Sequence, residues 1–93
     1  MATRYIIEDE LHAEHMSEHE TFDATVTELG RLASIPWGVA PNRAPCQSWK
    51  TCGRNYEVIE YDSSVQPWRE LRRLPALQVS ESGATWSGEF TRG

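Results

Sequence analysis

The residues with the most chemistry in this 93-residue chain are two cysteines and three histidines. Cys46 and Cys52 enclose five residues, with Trp49 at the midpoint and Pro45 and Gly53 as flanks. That spacing is wider than the two to four residues of a zinc knuckle. It also differs from the redox Cys-x-x-Cys, whose adjoining thiols tune each other's pKa. A disulfide between them would close only a short loop, and a reducing compartment opposes it. The plainest reading is two small thiols filling space under Trp37 or Trp49. His12, His15 and His19 lie together in the acidic segment Glu10–Glu20. On a helix all three would share a face. On a regular strand His15 and His19 would share one and His12 would oppose them. Cys46 and Cys52 with His15 and His19 make a Cys2His2 set of the kind zinc takes, so zinc is the one cofactor the composition suggests. Glu10, Glu14, Glu18 and Glu20 would then hold the ring N–H groups. An ordinary solvated acidic segment has the same appearance.

Thiol catalysis is a further candidate, centred on Cys52. Gly53 leaves room for a substrate and Arg54 is a cation able to lower a thiol pKa. A nucleophile also needs a base and an oxyanion site, and no nucleophile motif surrounds Cys52. The carboxylates suggest no acid/base pair: Glu57 and Glu60 point to opposite faces of a strand, and Asp9 and Glu10 are adjacent. Phosphate-cradling glycine loops and Gly-x-Ser-x-Gly elbows are absent. The sequence therefore points away from an enzyme.

Recognition is what remains. Pro36–Tyr56 has neither helical nor strand period, yet holds both cysteines, two of the four tryptophans and three of the five prolines. Long loops in small domains are functional or disordered, and the apolar surface of this one argues for order. Trp37, Asn42, Arg43, Trp49, Lys50 and Arg54 are its candidate binding residues, combining the aromatic and arginine chemistry enriched at interface hot spots. The competing reading makes both tryptophans a small core that holds the loop shut. An edge of the sheet offers a second interface, which a homodimer would cover.

The elements that must position this loop are legible in outline. Arg4–Asp9 opens with Tyr5, Ile6 and Ile7 and reads as a strand. Glu10–Glu20 fits neither period. Phe22, Val26, Leu29 and Ala33 form one helical stripe, capped by Thr21, or by Ser17 with Glu20 a turn earlier, and stopped by Pro36. Tyr56–Tyr61 is the best strand in the chain. Pro67 suits the first turn of a short helix, Trp68–Leu74, with Trp68, Leu71 and Leu74 on its inner face and Pro75 as its end. Ala76–Ser80 and Ala84–Ser87 then form a hairpin around Glu81-Ser82-Gly83. Residues 89–93 are expected to fray. The fold expected is α+β, a small two-layer sandwich with one main helix on a mostly antiparallel sheet of three to four strands.

A chain this short forms one domain over residues 1–93, since it cannot divide a core. Its net charge of −5 is uneven. Residues 1–30 carry eight acids against one base, and residues 31–93 carry eight bases against six acids. An acidic protein repels the phosphate backbone, so nucleic acid is not an expected partner. No stretch approaches a membrane span, and the N-terminus lacks an apolar signal region, which predicts a cytoplasmic protein. Ile35-Pro36-Trp37, Ala44-Pro45-Cys46, Tyr56–Asp62 and Pro67–Leu71 form a pattern that resembles small bacterial proteins of unassigned activity. That resemblance implies a bacterial, cytoplasmic setting and no residue roles. The functional expectation is a small interaction or regulatory domain that binds a protein partner or a second copy through the 36–56 loop. A zinc protein and a Cys52 thiol enzyme stand as alternatives.

Overall fold

The computed structural model describes residues 2–43 and 53–88. The elements run β1 Thr3–Asp9, β2 Glu14–His19, α1 Phe22–Ala33, β3 Arg54–Asp62, β4 Arg69–Ser80 and β5 Gly83–Trp86. The strands form one sheet in the order β2-β1-β3-β4-β5, every neighbour antiparallel. Among the described residues the fold is α+β, with a single helix against a five-stranded sheet, wider than the three to four strands expected.

Two segments account for the difference. The ambiguous Glu10–Glu20 run turns at Glu10–Ala13 and returns as β2, with Ala13 in the left-handed region at φ 51°. Its irregular apolar spacing has a structural cause: Ile7 pairs with Ser17 and Glu8 with His15, so Met16 is bulged out of register. The second segment is a correction. Trp68–Leu74 is not a helix; β4 begins at Arg69 and pairs along the whole of β3. Leu71 is an extra residue in that pairing, since Tyr61 faces Glu70 while Glu60 faces Arg72. Such a bulge gives a strand the spacing of a helical turn. The arginines favour the strand because it sets Arg69 against Asp62, Arg72 against Glu60 and Arg73 against Glu57. Leu71 consequently points outward, and Trp68 packs obliquely on Tyr61 at 6.0 Å between ring centroids.

The helix lies where its stripe predicts. Thr21 caps it, its hydroxyl accepting from the Ala24 N–H at 3.0 Å. Ser17 cannot serve as the alternative cap, because it lies within β2. Leu29 and Leu32 enter a buried cluster with Ile7, Tyr56, Val58, Leu77 and Val79, all from one face of the sheet. The Phe22 and Tyr5 rings meet edge to face, with centroids 5.8 Å apart, extending that layer along β1. Gly83 closes the last hairpin with φ +116°, a conformation other residues resist. No helix among the described residues is long and apolar enough to cross a membrane.

Thr21→Ala should lower unfolding stability by about 1 kcal/mol through loss of the cap. Ser17→Ala should cost less, about 0.5 kcal/mol, since it removes the hydroxyl's contact with the His19 ring and no capping bond. Urea titration of both variants checks the assignment.

Candidate functional site

The most constrained group of side chains lies at the end of the sheet where β1 leaves and β3 enters. Tyr5, Ile7 and Asp9 alternate onto the helix-facing side of β1, so the residue after two apolar positions is an aspartate aimed inward. Arg54, Tyr56 and Val58 do the same on β3. Asp9 is fully buried and Arg54 is 4% exposed. Two opposite charges thus enter the same end of the core.

Asp9 is satisfied from four directions. Its Oδ1 accepts the Leu11 N–H at 3.1 Å and the Asn55 N–H at 3.0 Å. Its Oδ2 accepts Arg54 Nη1 at 2.9 Å and the ring Nδ1 of His12. Burial by itself would raise the carboxyl pKa. The Asn55 N–H, the Arg54 guanidinium and the His12 ring outweigh it, leaving Asp9 below the ordinary aspartate value. Arg54 also donates through Nη1 to Glu14 of β2. Its Nη2 reaches into the loop after α1, donating to the carbonyls of Pro41 and Arg43, each at 3.0 Å. Arg54 Nε is buried and has no hydrogen-bond partner among the described residues. Burial opposes the cation, but Asp9 and Glu14 more than offset it, and the guanidinium pKa is raised.

A second fastening lies beside the first. Asn42 is fully buried. Its Nδ2 donates to the carbonyls of Leu32 and Ile35, both at 2.8 Å, and its Oδ1 accepts the Tyr56 hydroxyl at 2.7 Å. Carbonyls at a helix C-terminus have no intrahelical donor. Asn42 supplies one from ten residues downstream of Leu32 and ties the loop to β3 in the same contact. Burial pushes the Tyr56 hydroxyl up to about 12, so it remains a donor at neutral pH.

Of the candidate binding residues, Asn42 and Arg54 lie inside and hold the loop from beneath. Trp37 is partly buried and packs on the core cluster, whereas Arg43 is exposed. Trp49, Lys50, Cys46 and Cys52 lie outside the described residues. Val39 and Leu11, which the sequence did not single out, are 50% and 58% exposed on the two segments that the Asp9–Arg54 cluster holds.

The histidines separate. The bulge at Met16 sets His19 on the face of Tyr5 and His15 on the opposite face, beside Glu8. The His19 ring lies 2.9 Å from the Ser17 hydroxyl, and His12 turns its Nδ1 to Asp9. Among the described residues no group of three or more His, Cys, Asp or Glu side chains is placed to hold a metal. The role considered for Arg54 as activator of the Cys52 thiol meets a competing demand, because its guanidinium already serves Asp9 and Glu14.

No protein-family model matches the chain, and no curated protein or solved structure is similar enough to match it.

The site has a defined pH signature. Asp9 has a lower pKa folded than the unfolded value of about 3.9, so its contribution is complete above that value and fades as pH falls through the folded pKa. Asp9→Asn leaves the buried Arg54 with one carboxylate fewer and should cost about 3 kcal/mol at neutral pH. Its stability should also vary less with pH than the wild type's below about pH 4. Urea midpoints measured across the acid range for both proteins check the two effects together.

Proposed function

We propose that the chain is a small bacterial cytoplasmic interaction domain that binds a protein partner, or a second copy of itself, through the 36–56 loop. The observation that carries this reading is the anchoring of the described part of the loop. Arg54 and Asn42 engage its backbone and the end of α1 through four hydrogen bonds. A loop fixed before binding loses less entropy on forming a complex, which is how rigid scaffolds present recognition loops. Val39 and Arg43 project from this held backbone, and Leu11 projects from the turn that Asp9 holds. Trp49 and Lys50 follow in the same loop and would complete a surface of aromatic, aliphatic and basic groups.

The edges of the sheet are poorer interfaces. β2 carries a bulge and exposed Glu14 and Glu18. The open stretch of β4 carries the Leu71 bulge, charged residues and Pro75. Bulges, charges and proline are the devices that keep an edge strand from pairing with another chain.

A photo-crosslinking residue at Val39 tests the proposal against one at Val65. Both are exposed, at 50% and 42%, but Val65 lies in the β3–β4 connection at the far end of β3. In cells, Val39 should give a discrete crosslinked species, its mass separating a self-complex from a different partner, and Val65 should give none. Equal crosslinking at both positions, or crosslinking at Val65 alone, contradicts the proposal.

A second reading, zinc held by Cys46 and Cys52 with histidine, is favoured by one feature. A metal-ligating histidine commonly gives its other ring N–H to a carboxylate. His12 makes that contact with Asp9, so His12 joins His15 and His19 as a candidate ligand. Native mass spectrometry of the untagged protein should show one zinc per chain, released by acid, if this reading holds; metal-free protein from zinc-replete cells ends it.

A further inference from the structure

The open edges of the sheet are not equally guarded. β2 and the open stretch of β4 carry bulges, charges and a proline. β5 ends the strand order at the other side of the sheet, and no described strand pairs with its outer edge. Its sequence is Gly-Ala-Thr-Trp, without a charge or a proline, and its register with β4 is unbroken from Gly83 to Trp86. Only its shortness limits it as a template for another strand.

The direction of its backbone groups follows from one hydrogen bond. The Ser87 N–H donates to the Ala76 carbonyl at 2.8 Å, continuing the β5 register by one pair. Along an antiparallel strand, residues that bond to one neighbour alternate with residues that turn the other way. Ser87 and Thr85 therefore bond to β4, and the N–H and C=O groups of Ala84 and Trp86 point outward. The side chains sort separately. Ala84 and Trp86 pair with Val79 and Leu77 on the helix side, where Trp86 packs on the core cluster, and Thr85 stands on the opposite face beside Gln78.

These positions complement themselves. Two copies of β5 set antiparallel, with a two-fold axis at Thr85, place Ala84 of each against Trp86 of the other, and the outward N–H and C=O groups of both residues are exchanged. A small side chain then meets a large one, threonine meets threonine, and no like charges face each other. The distribution of charge favours the same edge. Residues 1–30, with eight acids against one base, include β1 and β2, on the far side of the sheet from β5. Joined through β5, the two β2 edges stand about 43 Å apart, nine strand spacings of about 4.8 Å and several Debye lengths at physiological salt.

We propose that β5 is a homodimerisation edge, at which two copies pair antiparallel about Thr85 and join their sheets into one. The surface does not involve the 36–56 loop. So short an edge buries less than a standard interface, and the association is accordingly weak, with a Kd of about 10–100 μM.

Sedimentation equilibrium of the untagged protein from about 10 μM to about 1 mM should show monomer and dimer in exchange. Amide hydrogen exchange should slow at Ala84 and Trp86 as concentration rises through that range. Thr85→Lys, at an exposed position, sets like charges on the axis and should weaken the dimer about tenfold or more. Thr85→Glu should do the same, and an equimolar mixture of the two variants should pair at least as tightly as the wild type. Three results overturn the proposal: protein that stays monomeric at the highest concentration, a Thr85→Lys variant as dimeric as the wild type, or a dimer whose Ala84 and Trp86 amides exchange as fast as in the monomer. A dimer lost in Val39→Glu but kept in Thr85→Lys also overturns it and assigns self-association to the loop.

Discussion

A carboxylate and a guanidinium buried at one end of a small core impose the constraint on which the rest of this structure depends. Neither can be left unpaired, since breaking such a pair costs about 3–5 kcal/mol, a large part of the stability of a domain this size. Asp9 and Arg54 are 45 residues apart, and satisfying both fixes where several chain segments pass. The β1–β2 turn must bring the Leu11 N–H and the His12 ring to Asp9, β2 must bring Glu14 to Arg54, and the loop after α1 must turn the Pro41 and Arg43 carbonyls inward. Hydrophobic packing could tolerate small shifts of these segments. Hydrogen bonds tolerate much less, because their strength falls steeply with distance and angle.

The two faces of the sheet follow different rules. The face that α1 covers is apolar at its centre, with Asp9 and Arg54 at one end and the Glu60–Arg72 pair toward the other. The opposite face is held by charge, with Arg73 at its centre and Glu8, Glu57 and Glu70 around it. Burial, reinforced by neighbouring Glu10, keeps Glu57 above the ordinary glutamate value even though Arg73 works against it. Glu57 and Asp9 therefore respond to pH with opposite sign. The lowered acid loses its contribution as pH falls, and the raised acid weakens the fold as it ionises. Ile59, on the charged face, is fully buried without belonging to the cluster under the helix.

Local signals made half of this architecture legible. The Phe22–Ala33 stripe, the Thr21 cap, β1, β3 and the last hairpin each have a period or a turn residue that needs no tertiary information. The failures have a common physical origin in bulges. Extra residues at Met16 and Leu71 break the alternation that identifies a strand, and the second lends β4 the spacing of a short helix. The same Met16 bulge separates His15 from His19, which a regular strand would have kept together. At the site, composition sets the loop apart, but the residues that anchor it could not be told from those left exposed. One clue lay in the pattern of alternation. Asp9 and Arg54 fall on the inward side of β1 and β3, where a charge signals a buried partner, although no sequence signal pairs two positions so far apart.

One buried cluster holds the β1–β2 turn and the loop after α1 as a unit. Native-state amide hydrogen exchange in Arg54→Gln tests it most directly. The Asn42 and Arg43 amides bond to the Val39 carbonyl, and the Leu11 amide bonds to Asp9. The account predicts that all three lose protection together in the variant, while amides of α1 and the β1–β3 ladder stay protected. Loop and turn amides that exchange as slowly as in the wild type, or that lose protection independently of each other, would contradict it.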